Sequence, residues 1–518
     1  MYKPLYSSLL LAILLGISHK AIGQSASPAS HELMERTSLW KQGTNAAGAW
    51  LDQPTNRGTL NLFWNNENGS FHRPQEGRRE NQFGIRTEGS AVVGKFYTWG
   101  SFSYTHEKLR DAGYNAGLIN PYRDMPYNII DENLSDWKKQ YYDMAIRVAT
   151  PKIWNAISFG LDVSYQAHSG AKQRDIRADN RYMTLGLSPG IVYHINNNHH
   201  LGLNFVYSAL KEESTNSNIN NYLSQNYYEL NGLGHAEKGV GKGRVTDYKG
   251  RNWGAALQYN IRNKNNQLWM SAQYDLHTEE VRNSFTQPKR IGDIRRHKWQ
   301  ANIKAINQSS NKLMHTLHLY YLNSFVEGIE HISQRDNTSE QEGWMSLYSA
   351  VRSKYREQEL GATYALLTRK PNQEYGWLSE VDIRYLRQND RYIMPNSKQK
   401  HENLRSSLTV KKNIRLPFRK ATTLLIATKV NFQKNLSGIY HYKGNYEEYP
   451  SVTLLAQGEQ NYLTSSYWGI SGEVTFAQQI KPTMPFNWFV TCFIDWKRTT
   501  DHNLGNRHQL GVRLGCFF

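Results

Sequence analysis

Residues 252–262, NWGAALQYNIR, constrain this chain more than any other feature. Trp253, Ala255, Leu257, Tyr259 and Ile261 alternate with Asn252, Gly254, Ala256, Gln258, Asn260 and Arg262, the period of two that a β-strand imposes. After RNKNNQ the pattern resumes, with Leu268, Met270, Ala272, Tyr274 and Leu276 set against Ser271, Gln273, Asp275 and His277; only Trp269 breaks the polar set. It recurs at 157–166, 201–208, 468–476 and 488–497. The stretches are about ten residues long, and the polar face carries charge in almost every one. A sandwich of strands points its apolar faces at each other and needs only about five or six residues per strand. A barrel in lipid needs about nine to eleven per crossing and turns the apolar face outward. Hydrocarbon offers no hydrogen-bond partners, so such a sheet must close on itself.

Turn-rich joints fall at or just after 87–91, and at 151–155, 196–200, 262–267, 307–312, 369–373, 416–420 and 481–487. Longer polar segments lie near 65–81, 107–138, 169–179, 213–250, 283–295, 331–355, 389–399, 439–463 and 499–506. Short and long joints alternate, as they do when all turns lie on one side of a membrane. Eight turns and nine loops join eighteen strands, with sixteen as the alternative, and put both termini on the periplasmic side. The fold class is therefore all-β, a transmembrane antiparallel outer-membrane barrel. WMSLYSAVR (344–352) reads as either a strand or a loop helix, and Pro189 predicts a bulge, because proline removes a ladder donor.

The first residues supply the address. A lysine, an apolar stretch from Leu5 to Ile17 and small residues at Ala21 and Gly23 form a secretory signal over 1–23, too short to span a membrane. No cysteine near that junction offers an acyl anchor. Residues 24–56 are texturally different: SHELMERTSLWKQ places Leu33, Met34, Leu39 and Trp40 along one side of a short helix, and an irregular NAAGAWLDQP follows. This segment is expected as a plug or a periplasmic foot, with 57–518 as the barrel. Net charge is +18, and +16 once Lys3 and Lys20 leave with the signal. That balance suits anionic lipid and lipopolysaccharide, and export argues against nucleic acid. Two cysteines, Cys492 and Cys516, exclude a disulfide-built fold. Beyond the signal no apolar run reaches 18 residues, which excludes helical spans.

RHQLGVRLGCFF ends the chain as an alternating strand closing on Phe518. Val512, Leu514 and Phe518 resemble the terminal signal that barrel-assembly machinery reads in outer-membrane proteins; Cys516 departs from it. With LWKQGTNAAGAW (39–50) and RGTLNLFW (57–64), the mature chain resembles a family of unknown function among Bacteroidota outer-membrane barrels, often encoded near TonB-dependent receptors. The resemblance implies a part in uptake at the cell surface, with a TonB-dependent receptor or a surface lipoprotein as partner.

Alternation assigns Asp162, Asp275, His277, Arg384, Lys429, Glu473, Asp495 and Arg513 to the lumen, to tune a pore or to pair across strands. A last hairpin centred on Leu504 would place Asp495 opposite Arg513 and Cys492 opposite Cys516. No metal or cofactor motif appears: His194, His199 and His200 gather at a turn, His315 and His318 have opposite parity, and GVGKGRVTDY (239–248) reads as a flexible loop. No catalytic residue is assigned, although Asp162 with His168, or Asp275 with His277, are the pairs an enzyme would use. Tyr114, Tyr122, Tyr127, Trp137, Tyr227 and Tyr228 fall in the long loops, for ligand binding or for capping the pore. Three functions compete: an uptake channel or receptor-associated subunit, a non-transporting structural barrel, and an enzyme.

Overall fold

The computed structural model describes residues 27–52, 55–118, 120–131, 133–219, 226–239, 243–283, 287–308, 310, 312–336, 343–417, 421–444, 450–480 and 486–518. Helix α1 (Pro28–Thr37) and a 3₁₀ turn (Ala46–Asp52) precede the first strand. The strands are β1 (Arg57–Gly69), β2 (Arg79–Val93), β3 (Phe96–Ala112), β4 (Tyr127–Asp131), β5 (Ser135–Ala149), β6 (Ile157–Lys172), β7 (Arg177–His194) and β8 (His199–Ser217). Then come β9 (Tyr227–Gly232), β10 (His235–Lys238), β11 (Gly243–Arg262), β12 (Asn266–Asn283), β13 (Lys289–Asn307), β14 (Leu313–Asp336) and β15 (Gly343–Arg369). The chain finishes with β16 (Tyr375–Tyr392), β17 (Ser397–Leu416), β18 (Thr422–His441), helix α2 (Pro450–Leu463), β19 (Tyr467–Gln479), β20 (Asn487–Arg498) and β21 (Asn506–Phe517).

Strands β4, β9 and β10 form a small separate sheet; the other eighteen form one antiparallel barrel. Closure is made by β1 on β21, from Thr59 facing Phe517 to Gly69 facing Arg507. Past that ladder, the Phe518 N–H donates to the Gly58 carbonyl at 2.9 Å.

The barrel is inside out relative to a soluble sheet. Leu203 is 50% exposed and its neighbour Asn204 2%; Leu257 is 52% exposed and Gln258 1%. Apolar side chains that point away from the lumen touch only their neighbours on adjacent strands, as Trp253 does Phe205 and Tyr207, and stay about half exposed, whereas the polar face is buried in the interior. That arrangement is stable only where the surroundings are themselves apolar. No helix among the described residues is long and apolar enough to cross a membrane.

The expected turns are short, but the strands run further than the alternation shows, and two connections expected to be long, 169–179 and 389–399, shrink to 173–176 and 393–396. β14 has 24 residues and β15 has 27, against the ten or so a crossing needs. The wall therefore rises well past the apolar belt on the long-loop side. Trp344–Arg352 is part of β15 and not a helix. Its pairing with β14 continues above the point where β13 stops at Glu330 and β16 stops at Ser353, leaving a two-stranded ribbon. Residues 243–248, expected as flexible loop, belong to β11; 240–242 lie outside the described residues. Pro189 makes no bulge. The β7–β8 ladder skips Ser188 and Pro189 and resumes in the same register, Leu187 facing Tyr207 and Gly190 facing Asn204.

The last hairpin is centred on His502, not Leu504. Asp495 faces Gln509, and Cys516 faces Trp488. The 3₁₀ turn Asp501–Asn503, with positive φ at His502 (53°) and Asn503 (57°), reverses the chain within the loop expected at 499–506 and centres it on His502. Cys492 and Cys516 are both free thiols, four rungs apart in register.

Candidate functional site: a lumen closed at both ends

The N-terminal segment lies in the lumen at the short-turn end. Ser27 caps α1 by accepting from the Ser30 N–H at 3.2 Å, and Pro28 sits in the first turn, where its missing donor costs nothing. The helix is only ten residues long, too short to persist alone, so its place is set by what it touches. Glu32 accepts from the Tyr375 hydroxyl at 2.6 Å, from Lys411 Nζ at 2.9 Å and from Arg36 Nε at 3.1 Å. Arg36 also reaches Glu380 at 2.6 Å. Glu35 takes Lys41 at 2.7 Å and Arg57 at 2.6 Å. Burial raises the Glu32 and Glu35 carboxyls, but these cations outweigh it and hold both below the usual range.

Trp40 is the apolar anchor. It is 1% exposed, donates to Asn260 at 3.4 Å and meets the Trp269 ring edge-on at 6.4 Å. Asn45 donates to Gln258 at 3.0 Å and to the Ile191 carbonyl at 3.1 Å. Gly160 on β6 lets the segment approach: a Cβ there would lie 2.1 Å from the Ala47 nitrogen. Asp52 turns the segment back by accepting from the Lys41 N–H at 2.8 Å and the Trp40 N–H at 3.3 Å. Its own burial pushes that carboxyl up to about 7 against those two donors.

The other end is closed by loops folded inward. The β10–β9–β4 sheet sits inside the wall: Tyr248 donates to the Tyr127 carbonyl at 3.1 Å, and a Cβ on Gly292 would strike the Tyr127 ring. Arg123 holds Glu279 in a two-pronged pair at 2.6 and 2.7 Å. Lys172 pairs with Asp131, both essentially sealed from solvent. The Leu118 N–H donates to Glu212 at 2.9 Å. Arg73 stacks on Tyr122 at 3.2 Å from the ring centre and pairs with Glu459 of α2. Two cavities of about 480 and 540 Å³ remain in the loop-side half of the lumen, and Tyr122 and Glu76 line both.

Of the aromatics expected in the long loops, Trp137 lies in barrel strand β5, Tyr127 in β4 and Tyr227 and Tyr228 in β9; these four are buried, and Tyr114 and Tyr122, outside any strand, are half-buried. Most lumen charges are engaged in pairs. Asp162 pairs with Arg147, His277 with Glu279 at 3.1 Å, Arg384 with Asp382 at 2.7 Å, Glu473 with Arg513 at 2.8 Å and Asp495 with Lys497 at 3.5 Å. Asp275 accepts from Gln273 at 2.8 Å, and Lys429 is exposed, in no ion pair among the described residues. His168 bonds Asp143, not Asp162, so neither carboxylate–histidine pair considered for catalysis is assembled. His194 lies 2.9 Å from the Ser158 hydroxyl and 3.0 Å from His200, but Ser158 is 1% exposed and closed to any substrate. His315 bonds Tyr364 and His318 bonds Asn302, on opposite faces of β14.

Val512 and Leu514 face outward, exposed, on β21. Phe518 is exposed too and stacks on Phe486 at 6.4 Å between ring centres. The apolar side read from the sequence does dock: Leu33, Leu39 and Trp40 share one buried cluster with Trp269, Leu367 and Leu378 of the wall, although Leu39 and Trp40 lie past the end of α1 and not on it. The sequence pattern did not single out Glu32, Glu35 or Arg36, because most of their partners come from distant stretches of sequence. Among the described residues, His31, Glu35 and Glu88 alone bring three metal-type ligand atoms within 4.8 Å of one another. Arg57 and Lys41 already balance Glu35 there, and the His31 imidazole is lowered by burial and by Arg57. The cluster is charge-compensated without a cation.

Residues 46–518 match the family of unknown function DUF6850. The chain belongs to that family. The match takes in the whole barrel and leaves out α1. None of the curated proteins matches. Among solved structures, the chain is similar to the ferric-catecholate import receptor Fiu from E. coli, at 8% identity, with 88% of this chain and 81% of that one covered and a TM-score of 0.38. It is also similar to the ferripyoverdine receptor of Pseudomonas aeruginosa, at 10% identity, 89% and 72% coverage and a TM-score of 0.41. OccAB3 of Acinetobacter baumannii stands at 11% identity, 89% and 99% coverage and a TM-score of 0.33.

Proposed function

We propose that this DUF6850 chain is an outer-membrane barrel that takes part in uptake at the surface of a Gram-negative cell. In this reading it is shut at rest and works as a subunit beside a TonB-dependent receptor. The observation that carries it is the double closure of the lumen. A pore for free diffusion has no use for a helix ion-paired across its floor and a folded sheet across its mouth. The protruding ribbon of β14 and β15 supports partnership: Met345, Leu347 and Tyr348 are more than half exposed on it, and a two-stranded ribbon keeps free edges for strand pairing. The resemblance to Bacteroidota barrels encoded near such receptors supplies the class of partner.

A second reading, a gated channel, is favoured by the cavities inside the lumen. Planar-bilayer recording and native purification separate the two. The first reading expects no steady conductance from the intact chain and a second outer-membrane protein that co-purifies and is lost when Met345, Leu347 and Tyr348 are all replaced by serine. Steady conductance from the isolated chain, with no partner recovered, overturns it in favour of the channel.

A further inference from the structure

We propose that the cavity of about 480 Å³, between α2, residues 121–128 and strands β15–β17, is a binding site for a small organic ammonium ion. The protein as a whole is strongly basic, yet this cavity is lined by five carboxylates and only two guanidinium groups. Arg73 is taken by Glu459, and Arg405 is directed to Gln433 at 2.6 Å. Asp124, Glu357 and Asp390 are in no ion pair among the described residues. Arg296 and Lys298 of β13 temper this field from one side, and Arg296 is itself spent on the Arg123 carbonyl.

Strand register sets the geometry. Tyr355, Asp390 and Gln399 face one another across β15, β16 and β17, and Glu357, Gln388 and His401 form the next rung. Asp124 comes from the loop that folds into the lumen, and lines the same cavity. Two buried side chains in the wall lack partners: Nε2 of His401, 1% exposed, and Nε2 of Gln399, 6% exposed. Asp390 keeps Oδ2 on Gln388 at 2.7 Å, while its Oδ1 is shielded and accepts nothing. Buried polar atoms are normally satisfied, so three open positions on adjacent strands point to a guest.

Size and spacing set its class. The three carboxylates do not come within the 4.8 Å of one another that a shared metal ion would use. A cavity of about 480 Å³ holds a molecule of several heavy atoms. Tyr122, Tyr355 and Tyr462 line it as well, one face of Tyr122 being covered by Arg73 and the Tyr462 ring lying against Phe71. An amine-bearing solute meets all of these: ammonium toward the carboxylates, hydroxyl or amide groups toward Gln399 and His401. This site does not depend on whether the barrel conducts, since binding is read in detergent and conduction in bilayers.

The test is calorimetric titration of the detergent-purified full chain with glucosamine and with spermidine, and with glucose and glutarate as uncharged and anionic controls. The expected result is saturable binding of at least one amine, no binding of either control, and a tenfold or greater loss in Asp390→Asn. Binding of glucosamine alone identifies an amino sugar, and of spermidine alone a polyamine. Glu357→Gln, in the same wall, gives the same loss should Asp390→Asn not fold. Equal binding of glucose or glutarate, amine binding unchanged in the folded variants, or no amine binding at all overturns the assignment.

Discussion

Replacing Trp40 by alanine separates the closure of the lumen from the stability of the wall. Trp40 is 1% exposed. A buried indole removes roughly 200 Å² from water, worth about 5 kcal/mol at ~25 cal/mol per Å². Alanine retains about 1 kcal/mol of that, so the loss is about 4 kcal/mol, within the usual span for such a truncation. The barrel ladder is complete without residues 27–52, and the loss therefore falls on docking of the segment alone. At ~1.4 kcal/mol per tenfold, the population with the segment released rises about a thousandfold. Hydrogen exchange read by mass spectrometry gives both numbers at once. Amides of residues 39–51 should exchange about three decades faster in Trp40→Ala, while those of β11 and β17 keep their protection. Unchanged exchange in 39–51 would refute the anchoring role. Acceleration of the wall by the same factor would show that segment and barrel unfold as one unit.

Four further outcomes complete the set. Glu32 and Glu35 have docked carboxyls below their ordinary range, so the docking they contribute is present above about pH 4.5 and fades as pH falls through the lower docked values. Asp52, raised to about 7 by burial, works in the opposite sense: docking gains as pH falls from about 7 to 3.8 and keeps that gain below, so in Asp52→Asn, where the gain is removed, tryptophan fluorescence should report release of the segment below about pH 4 and not at pH 6. Arg123→Ala leaves the buried Glu279 carboxylate with His277 as its one remaining ion-pair partner among the described residues and should cost up to about 3–5 kcal/mol of loop docking; limited proteolysis within 113–131 should appear, with the barrel itself intact. Leu257→Arg on the apolar face should destabilise the folded barrel by about 2–4 kcal/mol in urea titrations from lipid vesicles, whereas Arg513→Ala, which removes a part-exposed pair with Glu473, should cost under about 1 kcal/mol.

The wall was legible because its pattern is enforced everywhere. Each strand must show hydrocarbon one face and the lumen the other, so Leu203 against Asn204 and Leu257 against Gln258 repeat the same message. Two things escaped that logic. Strand ends above the belt face water on one side and the lumen on the other, and there alternation stops marking the fold; hence β14 runs on to Asp336 and β15 starts at Gly343, inside the 331–355 segment expected as a long loop, of which only 344–352 reads as strand or helix. Hairpin register depends on turn conformation, and the positive-φ pair His502–Asn503 moved the last register by four residues. The chamber was invisible for a further reason. Asp124, Glu357 and Asp390 lie in three separate stretches of sequence, and only closure of the barrel with an infolded loop brings them to one cavity.

The most direct test of the account is a cysteine scan with spin labels from Trp253 to Asn260 in vesicles, on a background lacking Cys492 and Cys516. Collision with oxygen and with a water-soluble nickel chelate is measured at each site. The account predicts a period of two, in which labels at 253, 255, 257 and 259 meet oxygen and exclude nickel, and those at 254, 256, 258 and 260 do not. Labels at the odd positions that meet neither reagent, in a monomer that stays folded without detergent or lipid, would contradict it.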